Sequence, residues 1–367
     1  MSSSLIVEVC QIDEIKTHEN ADSLELITIK YWQSVVKKGM YKKGDKIIFI
    51  PPDALIPDNL ADSLNLRPYL TGQNKDRVKC VRLRGEMSFG LVIDIPEGKN
   101  WEVGYDCAED LGITKYIPPV RDLIGDMAPE DPYFGKYTDM ENGRNFTNVF
   151  IPGEMVVATE KIDGSSDRLG ISISIDENGN NFYEWKAGSH KVKRKKPDDI
   201  SQSIYWLPYS YENVRDLISY LHEESSEKRQ VTLFGEIYGK SLGGMKELNY
   251  GKPNELDFRA FDIKINDKYI NYSDFKFYCD KFNVKTVPLI DIFHFSFEKC
   301  LEASTGDSIL AKENGATHIR EGAVIKPIEE RIDPKIGRVI FKVLNNDYLL
   351  LKNKKQDKGQ NVDYTDY

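Results

Sequence analysis

Residues 160–166, Glu-Lys-Ile-Asp-Gly-Ser-Ser, set a lysine at the end of the apolar run Met155-Val156-Val157-Ala158-Thr159. The run reads as a buried strand, and Gly164 makes a turn just beyond it. A lysine so placed is costly unless it has chemical work to do. Its ammonium form is a poor nucleophile, but burial and cationic neighbours would lower its pKa and leave an amine able to attack phosphorus. Lys-x-Asp-Gly alone is a short pattern that most often marks a surface turn.

The downstream segments give it meaning. Val231–Gly239 holds Glu236 in an apolar strand beside two glycines. Burying that carboxylate requires a partner, a metal or a ligand, and the alternative is the solvent face of an edge strand. Residues 258–263, Phe-Arg-Ala-Phe-Asp-Ile, offer aromatics that suit a core or the face of a purine. Glu321 and Lys326 bracket the apolar segment 322–325, and Lys342 lies inside a last strand, 338–343. Lysines 161, 326 and 342 can surround phosphates, while Glu236 and Glu321 can hold a divalent ion through its water shell. Phosphoryl transfer asks for that set: a nucleophile, cations on the equatorial oxygens and a metal.

The elements that must position these groups divide in two. A chain of 367 residues exceeds one ordinary core, so two domains are expected. Residues 5–10, 24–31, 46–50, 77–82 and 90–93 read as five short strands between Gly and Pro turns, which suggests a small OB-like barrel. Such barrels bind single strands or duplex backbones, and Lys37, Lys38, Lys42, Lys43, Arg82 and Arg84 are the candidate contacts. Residues 95–135, rich in Pro, Gly and Asp, read as the linker. Beyond the lysine motif, 169–175 and 182–186 read as a hairpin around 176–180. Residues 211–224 read as a packing helix with Val214, Leu217, Ile218 and Leu221 on one face.

Composition narrows the class. The net charge of −9 counts against a generally nucleic-acid-coated surface, although Lys191-Val192-Lys193-Arg194-Lys195-Lys196 is densely basic and reads as a solvated loop. Five scattered cysteines without Cys-x-x-Cys argue for a reducing compartment and against a zinc ribbon or disulfide framework. The five histidines show no metal-ligand spacing. No apolar stretch reaches the length of a membrane span, and Met1-Ser2-Ser3-Ser4 does not open a secretion signal.

Taken in order, Lys161–Gly164, Phe234–Gly239, Phe258–Ile263, Glu321–Lys326 and Phe341–Val343 resemble the motifs of the covalent nucleotidyltransferases, the polynucleotide ligases and messenger-RNA capping enzymes. Within them the chain is most similar to ATP-dependent RNA ligases of the class with an N-terminal OB domain. Thr159-Glu160-Lys161 is typical of RNA ligases. Segments 20–22, 35–39 and 84–90 fit that class's amino-terminal module. Ser166 stands where DNA ligases and capping enzymes carry arginine, and about 25 residues after Lys342 leave no room for their carboxy-terminal OB domain.

The resemblance implies an α+β protein. Its OB-like β-barrel (1–120, nucleic-acid-binding) precedes a nucleotidyltransferase domain, ATP-grasp-like, of antiparallel sheets and helices (121–355), then a polar tail (356–367). It implies that Lys161 takes AMP from ATP as a lysyl phosphoramidate. Glu160 would contact the adenine edge and Phe261, or else Phe258, would stack on the base. Glu236 would bind ribose or metal water, with Asp163 and Glu321 ordering the water shell of Mg2+ or Mn2+. Ser166 would line the nucleotide site. Lys342 and Lys326 would bind phosphate, and Arg144 would approach the leaving pyrophosphate or the 5′-phosphate. Strand alternation alone sets Glu321 and Lys326 on opposite faces.

Three departures stand out: Ser166 where RNA ligases often have Asn, His190 where they often have Arg, and Leu344 where a second lysine is common. The implied function is sealing of 3′-OH/5′-phosphate nicks in duplex RNA or an RNA/DNA hybrid, for RNA repair. The protein is expected to be a monomer, cytoplasmic or in another reducing intracellular compartment, with a viral origin compatible. The alternatives are a non-catalytic OB-containing RNA-binding protein with a degenerate transferase domain, a DNA ligase, or a GTP-using capping enzyme.

Overall fold

A computed structural model describes residues 5–117, 126–225, 227–240, 242, 248–349 and 351. The expected domain boundary at 120 and the 356–367 tail lie outside the described residues. The amino-terminal unit is built from β1 (Glu8–Gln11), β2 (Glu14–Thr17), β3 (Leu24–Ile29), β4 (Trp32–Lys37), β5 (Lys46–Ile50), β6 (Ala54–Leu55), α1 (Asp58–Ser63), β7 (Val81–Leu83), β8 (Glu86–Ser88), β9 (Leu91–Ile93) and β10 (Thr114–Lys115). Its two main sheets run β1-β5-β9 and β2-β3-β4. Strand alternation explains why both faces of β1-β5-β9 are buried. Val9, Ile48, Ile50 and Ile93 pack toward Ala61 of α1. Cys10, Ile47 and Phe49 pack toward Ile27, Ile29 and Trp32 of the second sheet.

The alternation over 24–31 predicts one strand and gives no sign of β4. The chain instead turns at Lys30-Tyr31, with Lys30 at φ 53° and its N–H donating to Asp13 Oδ2 at 2.6 Å. Those two residues carry none of the Asn-Gly or Asp-Gly chemistry that announces a tight hairpin. All six candidate backbone contacts, from Lys37 to Arg84, are exposed.

The carboxy-terminal unit contains β11 (Glu141–Asn142), β12 (Met155–Lys161), β13 (Ser165–Ile175), β14 (Asn181–Ser189), β15 (Lys193–Arg194), α2 (Glu212–Glu223), β16 (Val231–Gly239), β17 (Leu256–Ile265) and β18 (Lys268–Tyr269). It continues through α3 (Tyr272–Lys281), β19 (Leu289–His294), α4 (Phe297–Ser304), α5 (Ile309–Glu313), β20 (Gly322–Pro327), β21 (Ile332–Asp333), β22 (Gly337–Arg338) and β23 (Phe341–Leu344). Two sheets result, β11-β23-β20-β12-β19 and β15-β14-β13-β16-β17-β18. Helix α2 buries Val214, Leu217, Ile218 and Leu221 against Leu169, Ile171 and Leu233, as its periodicity predicts. The α+β class expected from the sequence holds.

The units meet through β4 and its turn. Trp32 Nε1 donates to Asn145 Oδ1 at 3.2 Å, and the Tyr31 ring lies 4.4 Å from that of Phe297. After the undescribed stretch, residues 126–139 lie along the six-stranded sheet. Asp126 pairs with Arg194 at 2.6 Å, and Asp131 takes Lys186 at 2.5 Å and Lys193 at 2.9 Å. Part of the basic run expected as a solvated loop is therefore neutralised inside the fold, while Lys195 and Lys196 stay exposed.

One irregularity matters for the site. Phe234 faces Asp262 but Gly235 faces Ala260, so Phe261 is the extra residue of a β-bulge. A Cβ on Gly235 would lie 2.2 Å from the Phe258 ring and 2.6 Å from the Arg259 carbonyl oxygen. Gly235→Ala is expected to destabilise the protein by about 1–3 kcal/mol, read from the midpoint of urea unfolding.

Candidate active site

Lys161 ends β12, opposite Gly322 of β20; Thr159 faces Val324, which in turn faces Lys342 of β23. Paired residues of antiparallel strands share a face, so Lys161 and Lys342 project to the same side of this sheet. Glu321, just before β20, turns back to meet the nucleophile candidate: its Oε1 lies 2.5 Å from Lys161 Nζ. From the other sheet, β16 brings Glu236, with Ser166 as its cross-strand neighbour on β13. The turn between lies directly on β16, because a Cβ on Gly164 would come within 2.2 Å of the Ile237 carbonyl oxygen and 3.0 Å of Glu236 Cγ. Asp163 is buried, and its amide donates to the Tyr250 hydroxyl at 2.6 Å.

The electrostatics correct one expectation. Burial pulls the Lys161 ammonium down, but Glu321 and then Glu236 outweigh it and hold its pKa above the ordinary lysine value. The amine is kept charged by acids, not freed by cations. Lys342 is the depressed lysine: burial, reinforced by the charge of Lys161, pushes it to about 8. Glu236 is pushed up to about 8, by burial first and then by Glu321 and Asp163, with Lys161 opposing.

Three acidic side chains thus crowd around one ammonium, and a divalent cation beside them would favour the ionised form of Glu236. Among the described residues, no three His, Cys, Asp or Glu side chains converge as direct metal ligands. Asp163, Glu236 and Glu321 are the oxygen donors here that could hold a hydrated ion through its waters.

Other expected residues lie elsewhere. Lys326 shares the face of Lys161, contrary to the opposite-face argument drawn from Glu321. It stands four residues beyond Gly322, about 13 Å away at the usual strand rise. Its Nζ is committed to Asp262 Oδ1 at 2.6 Å and Glu330 Oε1 at 3.2 Å. Glu160 points to the opposite side of β12, where Oε2 accepts from the amides of Ile309 and Leu310 at 2.9 and 3.1 Å. Its carboxylate braces the start of α5.

Arg144 is 5% exposed and packs on the barrel, 5.2 Å from the Trp32 ring and 5.4 Å from Phe89, with burial lowering its pKa to about 10. Phe258 is buried in the helix-covered core, which leaves Phe261, half-buried at the bulge, as the aromatic available to a base. His190 pairs with Asp139 at 2.8 Å.

One neighbour went unread in the sequence. Asp53, from the barrel, bears on Lys342 and also accepts from Arg77 Nη2 at 2.5 Å. Asp53 follows Pro51-Pro52 in a left-handed turn at φ 69°, and no local pattern marks it as part of a distant site.

The RNA ligase family model matches residues 154–344, just over half of the chain, and an OB-fold domain model matches residues 6–95. The chain belongs to the RNA ligase family. No curated protein matches it. Among solved structures, it is similar to the RNA ligase of Naegleria gruberi. A lysine-to-alanine mutant of that enzyme with ATP and Mn aligns at TM-score 0.67 and 25% identity, over 94% of this chain and 98% of that one. A lysine-to-methionine mutant with AMP and Mn aligns equally well, with the same identity and coverage. The form with pyrophosphate gives TM-score 0.67 at 26% identity, over 96% of this chain and 99% of that one. In this RNA ligase the described residues contain no helix long and apolar enough to cross a membrane.

The raised acid at Glu236 has a consequence for folding. Its folded pKa, about 8, exceeds the ordinary 4.5, so ionising it costs stability as pH climbs between those values. Glu236→Gln should therefore raise Tm above pH 8, and the gain should shrink to nothing as pH falls to 4.5. Thermal unfolding across that range measures it.

Proposed function

We propose that the protein is an ATP-dependent ligase that seals 3′-OH/5′-phosphate nicks in duplex RNA or an RNA/DNA hybrid through a lysyl-AMP intermediate. The observation that carries this reading is the Lys161 Nζ, held among Glu321, Glu236 and Asp163 with Lys342 alongside. The Naegleria enzyme, with its ATP, AMP and Mn complexes, supports it.

Lys161 gives a proton to solvent and its amine attacks the α-phosphorus of ATP. A phosphorus–nitrogen bond forms, the bond to the α–β bridging oxygen breaks, and pyrophosphate leaves. A 5′-phosphate oxygen of the nicked strand next attacks that phosphorus, the phosphorus–nitrogen bond breaks, and Lys161 recovers a proton. The 3′-hydroxyl then loses its proton and attacks the RNA phosphorus, forming the phosphodiester and releasing AMP.

Lys342, on the face of Lys161, binds the phosphate oxygens, and its modest basicity limits the cost of burying it there. Phe261 stacks on the adenine, and Ser166 and Glu236 line the ribose side. A divalent cation, Mn2+ or Mg2+, held through water by Asp163, Glu236 and Glu321 supplies neutralisation of the charge that develops on the phosphates. Lys326 and Glu160 support the sheets around the site. The exposed lysines and arginines of the barrel hold the duplex by charge rather than by sequence. The enzyme acts as a monomer in a reducing compartment.

Incubation with α-labelled ATP and Mn2+ should give a label on the denatured protein that Lys161→Ala abolishes. Lys342→Ala should slow labelling by about 10²-fold, the usual loss for one preorganised charge contact. No label with either metal would favour a non-catalytic RNA-binding protein, and labelling by GTP alone would favour a capping enzyme. A nick with RNA against one with DNA at the 3′-hydroxyl side separates RNA from DNA ligation.

A further inference from the structure

Tyr137 belongs to the 126–139 segment laid along the six-stranded sheet, and no sequence motif includes it. It is 7% exposed. Its ring meets Phe261 edge-on, with centroids 4.9 Å apart at 67°, and its centroid lies 5.0 Å from that of Phe234. Its hydroxyl donates to Asp262 Oδ2 at 2.7 Å.

Asp262 is fixed from two sides, by Lys326 Nζ at 2.6 Å on Oδ1 and Arg338 Nη2 at 2.7 Å on Oδ2. Glu330 in turn holds both cations, at 3.2 Å from Lys326 Nζ and 2.7 Å from Arg338 Nε. Arg338 also covers the Tyr269 ring at 3.5 Å, and Tyr269 accepts from the Thr138 amide at 3.1 Å. The segment carrying Tyr137 is therefore tied to the sheet on both sides of that residue.

We propose that Tyr137 is a positioning residue for the nucleotide base, which sets the tilt of Phe261 and is itself set by the Lys326–Asp262–Arg338 cluster. The proposal rests on the reading of Phe261 as the ring that stacks on adenine. A bulge residue has no ladder partner to fix it. Phe261 therefore depends on whatever packs beneath it, and an edge-to-face neighbour defines one orientation where an aliphatic side chain would allow several. A ring held flat to the base presents its stacking surface without first losing rotamer freedom. Lys326 then serves the site through Asp262 and Tyr137, which gives a role to a buried lysine whose ammonium is taken up by Asp262 and Glu330.

The test compares Tyr137→Leu, Tyr137→Phe, Phe261→Ala and the double variant Tyr137→Leu/Phe261→Ala, reading single-turnover lysyl-AMP formation against ATP concentration, with Tm recorded for each. Tyr137→Leu should raise KM for ATP by roughly three- to tenfold, the equivalent of one lost aromatic pair, with the maximal rate within about twofold. Tyr137→Phe keeps the ring and loses its tether, and should raise KM by a smaller factor, which keeps the proposal exposed if the leucine variant does not fold. The double variant should be no worse than Phe261→Ala. Unchanged KM in both Tyr137 variants, a loss confined to the maximal rate, or additive losses in the double variant would overturn the positioning role. If Phe261→Ala itself leaves KM unchanged, the stacking reading fails instead.

Discussion

A lysine inside a cleft must either lose its charge or find a partner, and here it finds Glu321. The Lys161–Glu321 pair at 2.5 Å governs what the rest of the site can do. Desolvation alone would make Lys161 a free amine, yet the nearby carboxylates overcome it, because charge attraction is strong where water is scarce. Lys161 is thus held as an ammonium. A cation that drew Glu321, Glu236 and Asp163 toward itself would weaken that attraction, and the same event would favour ionised Glu236. Lys342, already depressed, adds repulsion that favours the neutral amine once the acids are engaged elsewhere. A divalent cation held by these acids would therefore ease the loss of the Lys161 proton.

Backbone geometry makes this crowding possible. Gly164 lets the turn after Lys161 lie against β16, so that Glu236 and Asp163 share the surroundings of that lysine. Gly322 stands opposite Lys161, where a Cβ would come within 2.3 Å of the Val343 carbonyl oxygen. Gly235 allows the Phe258 ring to fold underneath and the strand to bulge at Phe261. Each glycine is a place where two strands approach more closely than a side chain permits. The barrel completes the arrangement by bringing Asp53 toward Lys342 and by clasping Arg144 between Trp32 and Phe89.

Much of this was legible in the sequence, for a physical reason. Lys161, Glu236, Glu321 and Lys342 are charged residues in apolar strands, and such residues advertise themselves because burial without a purpose is costly. Helix α2 was legible from its period. What the sequence hid depends on three-dimensional partners. The direction of the Lys161 shift turns on which charges end up nearest. Lys326 carries the same signature as Lys342, and only the register along β20 and the position of Asp262 separate a lysine paired away in an ion cluster from one beside Lys161. Glu160 alternates to the far face, where the start of α5 claims it. β4 was lost because Lys30-Tyr31 is an uncommon hairpin turn. The choice between Phe258 and Phe261 needed the bulge, which one residue of slippage creates and no period reveals.

The central claim is that the carboxylates around Lys161 hold it charged, and that a divalent cation bound to them would loosen that hold. The most direct measurement is a titration of the Lys161 side chain by NMR in selectively labelled protein, with Lys161→Arg for assignment, first in chelator and then with the diamagnetic ion Mg2+. The account predicts a pKa above the ordinary lysine value in chelator and a clear fall when the ion is added. A pKa already below the ordinary value in chelator, or one that does not move with the ion, would contradict it.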